Sequence, residues 1–303
     1  MQLAQDLRRG LEQRSAVQIQ VRGRIPGEPA HRLLDSLPQL RRETHRPAHR
    51  SRWASATQVS LPRPGNCCSA GMMESTPGNA RFWAQWAGAL PRWSPPLRPL
   101  LIVAPHPDDE TLGAGGLLSA WAARGLPATV LSLSDGERAC PEVPGLAEIR
   151  HAELTRALRA LGFYPDQPHM VRLSLPDGEL GAYEQRIADR IRELLHPESL
   201  LVAPFELDGH PDHDAAGRAA LIAARTRNAT LVRYPIWAWL WQASQLRAAE
   251  RRAVRFELTS NDWAAKQHAI DQFQSQLHER PGGAIIPAHV RNHFALTDEV
   301  FLL

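Results

Sequence analysis

An unbroken apolar run, Leu100-Leu101-Ile102-Val103-Ala104, has the length and branching of a strand buried on both faces, and it stops at Pro105-His106-Pro107-Asp108-Asp109-Glu110. Strands of that kind belong to parallel sheets covered by helices on either side. The chain downstream follows the same plan. Further strands are expected at Ala128 to Leu133, Met170 to Leu175, Ser199 to Ala203, Thr230 to Tyr234 and Val254 to Leu258. They alternate with helical patterns at Thr111 to Arg124, Leu146 to Leu161, Tyr183 to Leu195, Ala215 to Arg225 and Asp262 to Leu277. Such alternation dictates parallel pairing through right-handed crossovers. Glu299 to Leu303 reads as an added edge strand.

Open α/β sheets gather their ligand sites beyond the C-terminal ends of the strands. The first strand delivers an imidazole and three carboxylates to that lip. A His and an Asp three residues apart on a tight turn are able to converge on one cation; the plain alternative is that these acids complement the positive end of the next helix. A second cluster, Asp208-Gly209-His210-Pro211-Asp212-His213-Asp214, follows another apolar run, Leu200-Leu201-Val202-Ala203-Pro204. His210 and His213 stand three apart at a helix start, with Pro211 suited to the first helical position, so the two imidazoles are able to share one face.

Together the two clusters resemble the hallmarks of the PIG-L/LmbE family of zinc-dependent N-deacetylases: a P/A-H-P-D-D-E segment after the first strand and an H-x-D-H segment further along. Weaker echoes are Arg150 with Glu153 and Leu161-Gly162, then Pro176-Asp177-Gly178-Glu179-Leu180, and Lys266 to Ala269 with Ser275-Gln276. The resemblance covers about residues 98 to 280. It implies a Rossmann-like three-layer α/β sandwich with a mostly parallel sheet. It also implies that His106, Asp109 and His213 ligate one Zn2+, with Fe2+ or another divalent ion as the alternative. Two His, one carboxylate and water form the ligand set of an open catalytic site. Asp108 then stands as general base on the metal-activated water, and His210 faces the developing oxyanion or protonates the leaving amine. Asp212 is a candidate orienter of one of these imidazoles. Glu110 is left to complement the helix terminus. Arg150 has two readings, a substrate contact carried over from the family and a solvated or salt-bridged surface residue. The expected substrate is an N-acyl amino-sugar conjugate, a small molecule or a glycolipid.

Other chemistries fare less well. Gly113-Ala114-Gly115-Gly116 invites a dinucleotide reading, but the third glycine of G-x-G-x-x-G would fall at Leu118. Neither G-x-S-x-G nor H-E-x-x-H occurs. Two rivals stay open: a phosphoesterase-like metallohydrolase whose acids gather two cations, and a non-catalytic sugar-binding protein on the same fold. Trp237, Trp239 and Trp241 alternate with Ala238 and Leu240, a period-two stripe that reads as a packed strand or edge; Trp faces also stack on sugar rings.

Length and charge divide the chain. Its 303 residues, 43% hydrophobic and 22% charged, suffice for the full core of one domain. The formal charge of +3 is uneven: residues 1–71 hold 12 Arg against 5 acidic residues, a surplus of +7, which leaves −4 for the rest. Three regions are expected: a basic, poorly packed leader over 1–71, an edge segment over 72–98, and the α/β domain over 99–303. In the edge segment Trp83, Trp86 and Trp93 mark a short helix. The Arg-rich leader suits nucleic acid or anionic lipid, but Trp53 is its only aromatic, and no nucleic-acid partner is expected for the core.

Cys67, Cys68 and Cys140 form neither a disulfide framework nor a metal motif. No run reaches the roughly 20 apolar residues that a bilayer span needs. Arg8-Arg9 lacks the hydrophobic stretch of a twin-arginine signal, and a cytoplasmic location is expected. The natural start is expected at Met72 or Met73; a mass spectrum of the native protein with residue 1 intact would remove that expectation.

Overall fold

The computed structural model describes residues 77–164, 169–241, 243–278 and 283–303. The expected leader, residues 1–71, lies outside these, as do Pro281 and Gly282. The described residues begin with helix α1 (Pro77–Ala89) and then alternate: β1 (Leu100–Ala104), α2 (Asp109–Ala122), β2 (Ala128–Ser134), α3 (Leu146–Ala160), β3 (His169–Leu175), α4 (Glu184–Leu194), β4 (Leu200–Pro204), α5 (Pro211–Arg227) and β5 (Thr230–Tyr234). It closes with the short helices α6 (Ala238–Trp241) and α7 (Ala243–Ala248), then β6 (Ala253–Glu257), α8 (Ser260–Ile270), α9 (Gln274–Leu277), α10 (Ala288–His293) and β7 (Asp298–Leu302). Among the described residues no helix is long and apolar enough to cross a membrane.

Among the described residues seven strands form one sheet in the order β3-β2-β1-β4-β5-β7-β6. Strands β1 to β5 pair in parallel, while β7 runs antiparallel to both of its neighbours. The winding therefore reverses between β1 and β4. At such a switch point the loops leaving two adjacent strands diverge to opposite faces and open a crevice.

Alternation along β1 divides the core in two. Leu100 and Ile102 face the layer that includes α1, α2 and α3, whereas Leu101 and Val103 face α4 and α5. Because both faces are covered, all five residues are buried, which is why the strand reads as a continuous apolar run. Helix α5 turns an alanine face to the sheet, Ala215, Ala216, Ala219, Ala220 and Ala223, all fully buried. Small side chains let this helix lie close beneath the strands.

Three expectations change. Glu299 to Leu303 is an inner strand: β7 sits between β5 and β6, and its Asp298 accepts from Arg255 Nη1 of β6 at 2.8 Å. The true edge is β6, and the chain at Pro91 to Trp93 shields it, Arg255 N–H donating to Pro91 O and Trp93 N–H to Arg255 O. The tryptophan stripe is not a strand. The N–H groups of Ile236, Trp237 and Ala238 all donate to the Asp208 carboxylate, which removes them from any sheet ladder and starts the turn of α6. Trp239 then packs edge-on against Trp83 and Trp86 of α1, with ring centroids 5.1 and 5.8 Å apart. The helix expected from Asp262 to Leu277 breaks after Ile270, because the buried Glu153 accepts from both the N–H and the hydroxyl of Ser275 at 2.6 Å and so begins α9 separately.

The glycine-rich stretch also has a structural cause. Helix α2 is interrupted at Ala114 (φ −146°), and the N–H groups of Gly116 and Leu117 donate to Glu299 of β7 at 2.7 and 2.9 Å. Gly113 lies so close to the Tyr234 ring that a Cβ there would stand 2.2 Å from it. Glu299 is paired with Lys266 Nζ at 2.7 Å, and both are buried. Removing one member of such a pair strands the other charge. Glu299→Ala is therefore expected to lower the unfolding free energy by about 3–5 kcal/mol, read as a lower urea midpoint at unchanged slope. A loss below about 1 kcal/mol, the range of a surface pair, would contradict this account.

Candidate metal centre

The loops that leave β1 and β4 on either side of the switch point carry the two His/Asp clusters. The first is held from both sides: Ser134, at the end of β2, donates its N–H and its hydroxyl to Pro105 O, and the Gln276 amide donates to Pro107 O at 2.6 Å. Asp108 is the N-cap of α2 and takes φ 142°, a conformation that only glycine adopts readily. Its neighbour Glu110 is fully buried and accepts from the Asp108 N–H and the Thr111 hydroxyl, so it ties the turn to the helix. The second cluster turns on Gly209 (φ 94°), with His210 as N-cap of α5 and Pro211 at its first position, which brings His213 back over the first turn.

Three atoms meet in the crevice. His106 Nδ1 and His213 Nε2 each lie 3.3 Å from Asp109 Oδ2 and 3.4 Å from one another. Ligands held tetrahedrally at about 2.0–2.1 Å from one ion stand about 3.3–3.4 Å apart. The donor set therefore fits a divalent cation without rearrangement. The outer nitrogens are engaged as such a site requires. His213 Nδ1 meets Asp208 Oδ2 at 2.8 Å, and His106 Nε2 lies 3.2 Å from both Asp177 Oδ1 and Asp212 Oδ2. A second set, His106 with His210 and Asp212, shares His106 with the first.

Electrostatics favour positive charge at this point. Asp108, Asp109, Asp177, Asp208 and Asp212 are all buried around it, with Arg150 the buried cation beside them. Burial disfavours the imidazolium of His106, yet its contacts with Asp109, Asp177 and Asp212 raise it well above the ordinary histidine range. His213, opposed by burial but facing Asp109 and Asp208, is pushed up to about 9. Burial alone would raise Asp109, but His213 and His106 pull it well below the usual carboxylate range. Asp108 goes the other way, held well above that range by burial and by Asp109, with Arg150 offsetting only part. Burial and the two neighbouring imidazoles take His210 down to about 3.

His106, Asp108, Asp109, His210 and His213 thus lie together. The His210 ring is 5.0 Å from that of His106 and 4.8 Å from that of His213, centroid to centroid. Asp212 touches neither of the other imidazoles with its carboxylate; besides His106 it accepts from the N–H groups of Gly178 and Leu180 and so anchors that loop. Arg150 is not a surface residue: it is 2% exposed, and its guanidinium occupies the space a Cβ on Gly136 would need. It acts electrostatically on both Asp108 and Asp177. Three participants carried no assigned role in the sequence reading: Asp208, Asp177 and Gln276. All three belong to quoted segments, but nothing in their spacing tells which group each would meet.

With this geometry in hand, comparison with known proteins is informative. Residues 101–224 match the family model PIG-L, described as GlcNAc-PI de-N-acetylase. Among curated proteins, a probable N-acetyl-alpha-D-glucosaminyl L-malate deacetylase 2 of Bacillus anthracis is 34% identical over 136 residues, covering 43% of this chain and 60% of that protein. A 1D-myo-inositol 2-acetamido-2-deoxy-alpha-D-glucopyranoside deacetylase 1 of Catenulispora acidiphila is 32% identical over 176 residues, covering 46% and 53%. The chain thus spans little more than half the length of these relatives. Among solved structures, the zinc-inhibited form of teicoplanin deacetylase Orf2 superposes with a TM-score of 0.52 at 16% identity, over 67% of this chain and 97% of that one, a likeness of fold. Both strand-end clusters fall within the stretch of this chain that is similar to the PIG-L family model.

Proposed function

We propose that this protein is a metal-dependent hydrolase that removes an N-acetyl, or other N-acyl, group from an amino-sugar conjugate. The observation that carries the reading is the triangle of His106 Nδ1, Asp109 Oδ2 and His213 Nε2, with Asp108 and His210 beside it. The relatives' names, both deacetylases of glucosamine-type conjugates, support the substrate class. His106, Asp109 and His213 would hold the ion, with zinc the expected metal. A bound divalent ion supplies polarisation of the acyl carbonyl and lowers the pKa of a water molecule toward about 7.

The remaining steps belong to the chain. Asp108 takes the proton from the attacking water; burial and Asp109 raise its proton affinity toward the working pH, which suits a general base. His210 Nδ1 accepts from the Asp212 N–H at 3.2 Å, so its hydrogen sits on Nε2. Neutral in this setting, His210 serves as a hydrogen-bond donor to the carbonyl oxygen as negative charge grows there. The amine then leaves with the proton that Asp108 acquired, and the products are a carboxylate and a free amino sugar. Arg150, buried behind Asp108 and Asp177, favours their charged forms and resets Asp108 as a base.

The test is acetate release from a panel of N-acetylglucosamine conjugates by metal-defined protein. Turnover that a chelator abolishes and zinc restores is expected; no release from any member would overturn the reading. The two-cation phosphoesterase rival draws on the second set, His106, His210 and Asp212. Two equivalents of metal per chain together with phosphate-ester turnover would favour it. Asp108→Asn is expected to keep its metal and lose at least about a hundredfold in turnover, the lower end of a general-base contribution. Unchanged activity removes Asp108 from that role. His213→Ala is expected to lose the metal, and full occupancy would mean that the ligand set is wrong.

A further inference from the structure

We propose that Asp208 is a positioning residue that sets the tautomer of His213, and through it the affinity of the site for its metal. The proposal rests on the reading of His213 as a ligand. Asp208 is fully buried, and five hydrogen-bond contacts converge on its carboxylate. Oδ1 accepts from the N–H groups of Ile236 at 2.8 Å, Ala238 at 3.0 Å and Trp237 at 3.1 Å. Oδ2 accepts from Trp237 N–H at 3.0 Å and faces His213 Nδ1 at 2.8 Å.

Backbone N–H groups can only donate. A hydroxyl at Oδ2 would accept poorly from Trp237, so Oδ2 is a bare acceptor, and the hydrogen between it and His213 belongs to Nδ1. The lone pair is then left on Nε2, the atom that faces Asp109 Oδ2 and His106 Nδ1. A neutral imidazole has one donor nitrogen and one acceptor nitrogen, so the partner of the outer nitrogen decides whether the inner one can bind a cation. The segment from Ile236 to Ala238 thus acts on the metal centre without touching it, by holding Asp208 in the only orientation that satisfies all of these donors.

An isosteric change isolates the effect. In Asp208→Asn the amide oxygen keeps the place of Oδ1, because the reversed amide would set an NH2 against three N–H donors. The NH2 then stands in the place of Oδ2 and presents a hydrogen to His213 Nδ1. The imidazole must answer with its other tautomer, with hydrogen on Nε2, and the metal-facing lone pair is lost.

Two measurements on metal-free protein test this. Long-range 1H–15N NMR above the His213 pKa of about 9, where the ring is neutral, with the His213 signals assigned by their loss in His213→Ala, is expected to show hydrogen on Nδ1 alone in the wild type and on Nε2 in Asp208→Asn. Zinc affinity, measured by competition with a chromophoric chelator, is expected to fall about 10–100-fold in Asp208→Asn, the usual effect of removing a ligand's outer partner. Zinc binding within threefold of wild type by a folded Asp208→Asn with an unchanged tautomer would overturn the proposal. Should that variant fail to fold, the wild-type spectrum alone decides, since a neutral His213 ring with its hydrogen on Nε2 instead of Nδ1 contradicts the proposal directly. Failure of the underlying site is distinguishable: His213→Ala that keeps its zinc refutes the ligand reading, whereas His213→Ala that loses zinc beside a tight-binding Asp208→Asn refutes only the role of Asp208.

Discussion

The reversal of winding between β1 and β4 is the constraint from which the rest of this molecule follows. Two parallel strands that lie side by side send their chains to opposite faces of the sheet, so the backbone at their C-terminal ends separates and leaves a crevice. His106 and Asp109 descend from one strand and His213 from the other. Their facing nitrogen and oxygen atoms come within 3.4 Å although the two imidazoles are 107 residues apart in sequence. Packing of β1 against β4 and of the alanine face of α5 beneath them fixes that distance, and no local propensity of either loop would do so.

Around the crevice the fold uses buried carboxylates as fasteners. Asp208 holds the start of α6, Asp212 holds the turn at Gly178 to Leu180, Glu153 starts α9, and Glu299 caps the second half of α2. Each accepts N–H groups that would otherwise be buried without partners, a loss of about 1–3 kcal/mol per group. Each also links segments far apart in sequence. Through Asp208 and Asp212 the fasteners reach the imidazoles themselves, and through Gln276 the α9 segment reaches the carbonyl of Pro107. The weaker family echoes at Glu153, Lys266, Ser275 and Gln276 find their physical meaning here: they secure the elements that hold the turn at Pro105 to Asp108.

The doubly covered strands were legible because a strand buried on both faces must be apolar throughout, and β5 matches its expected bounds of Thr230 to Tyr234. The two clusters were legible because turn and cap chemistry are local: Pro at the first helical position and acids in a first turn need no distant partner. Where reading failed, a side chain from elsewhere overrode the local pattern. Alternation at Trp237 to Trp241 suggests a strand, yet the Asp208 carboxylate claims the N–H groups a strand would use. Periodicity continues from Asp262 to Leu277, yet Glu153 starts a new helix within it. The C-terminal residues look like an edge, yet β6 pairs outside them.

By itself, then, the sequence determined the α/β layering, the strand ends at which function gathers, and the kinds of side chain available there, since each depends on burial and backbone chemistry within a few residues. The tertiary structure alone decided which nitrogen of each imidazole turns inward, which carboxylate stands behind it, and that Arg150 is buried rather than solvated. Those outcomes depend on packing that brings atoms distant along the chain within a few ångströms, as with Asp208 against Ile236, 28 residues on, and His213 against His106, 107 residues away. Spacing within one segment carries no information about such partners; only the packing of sheet and helices does.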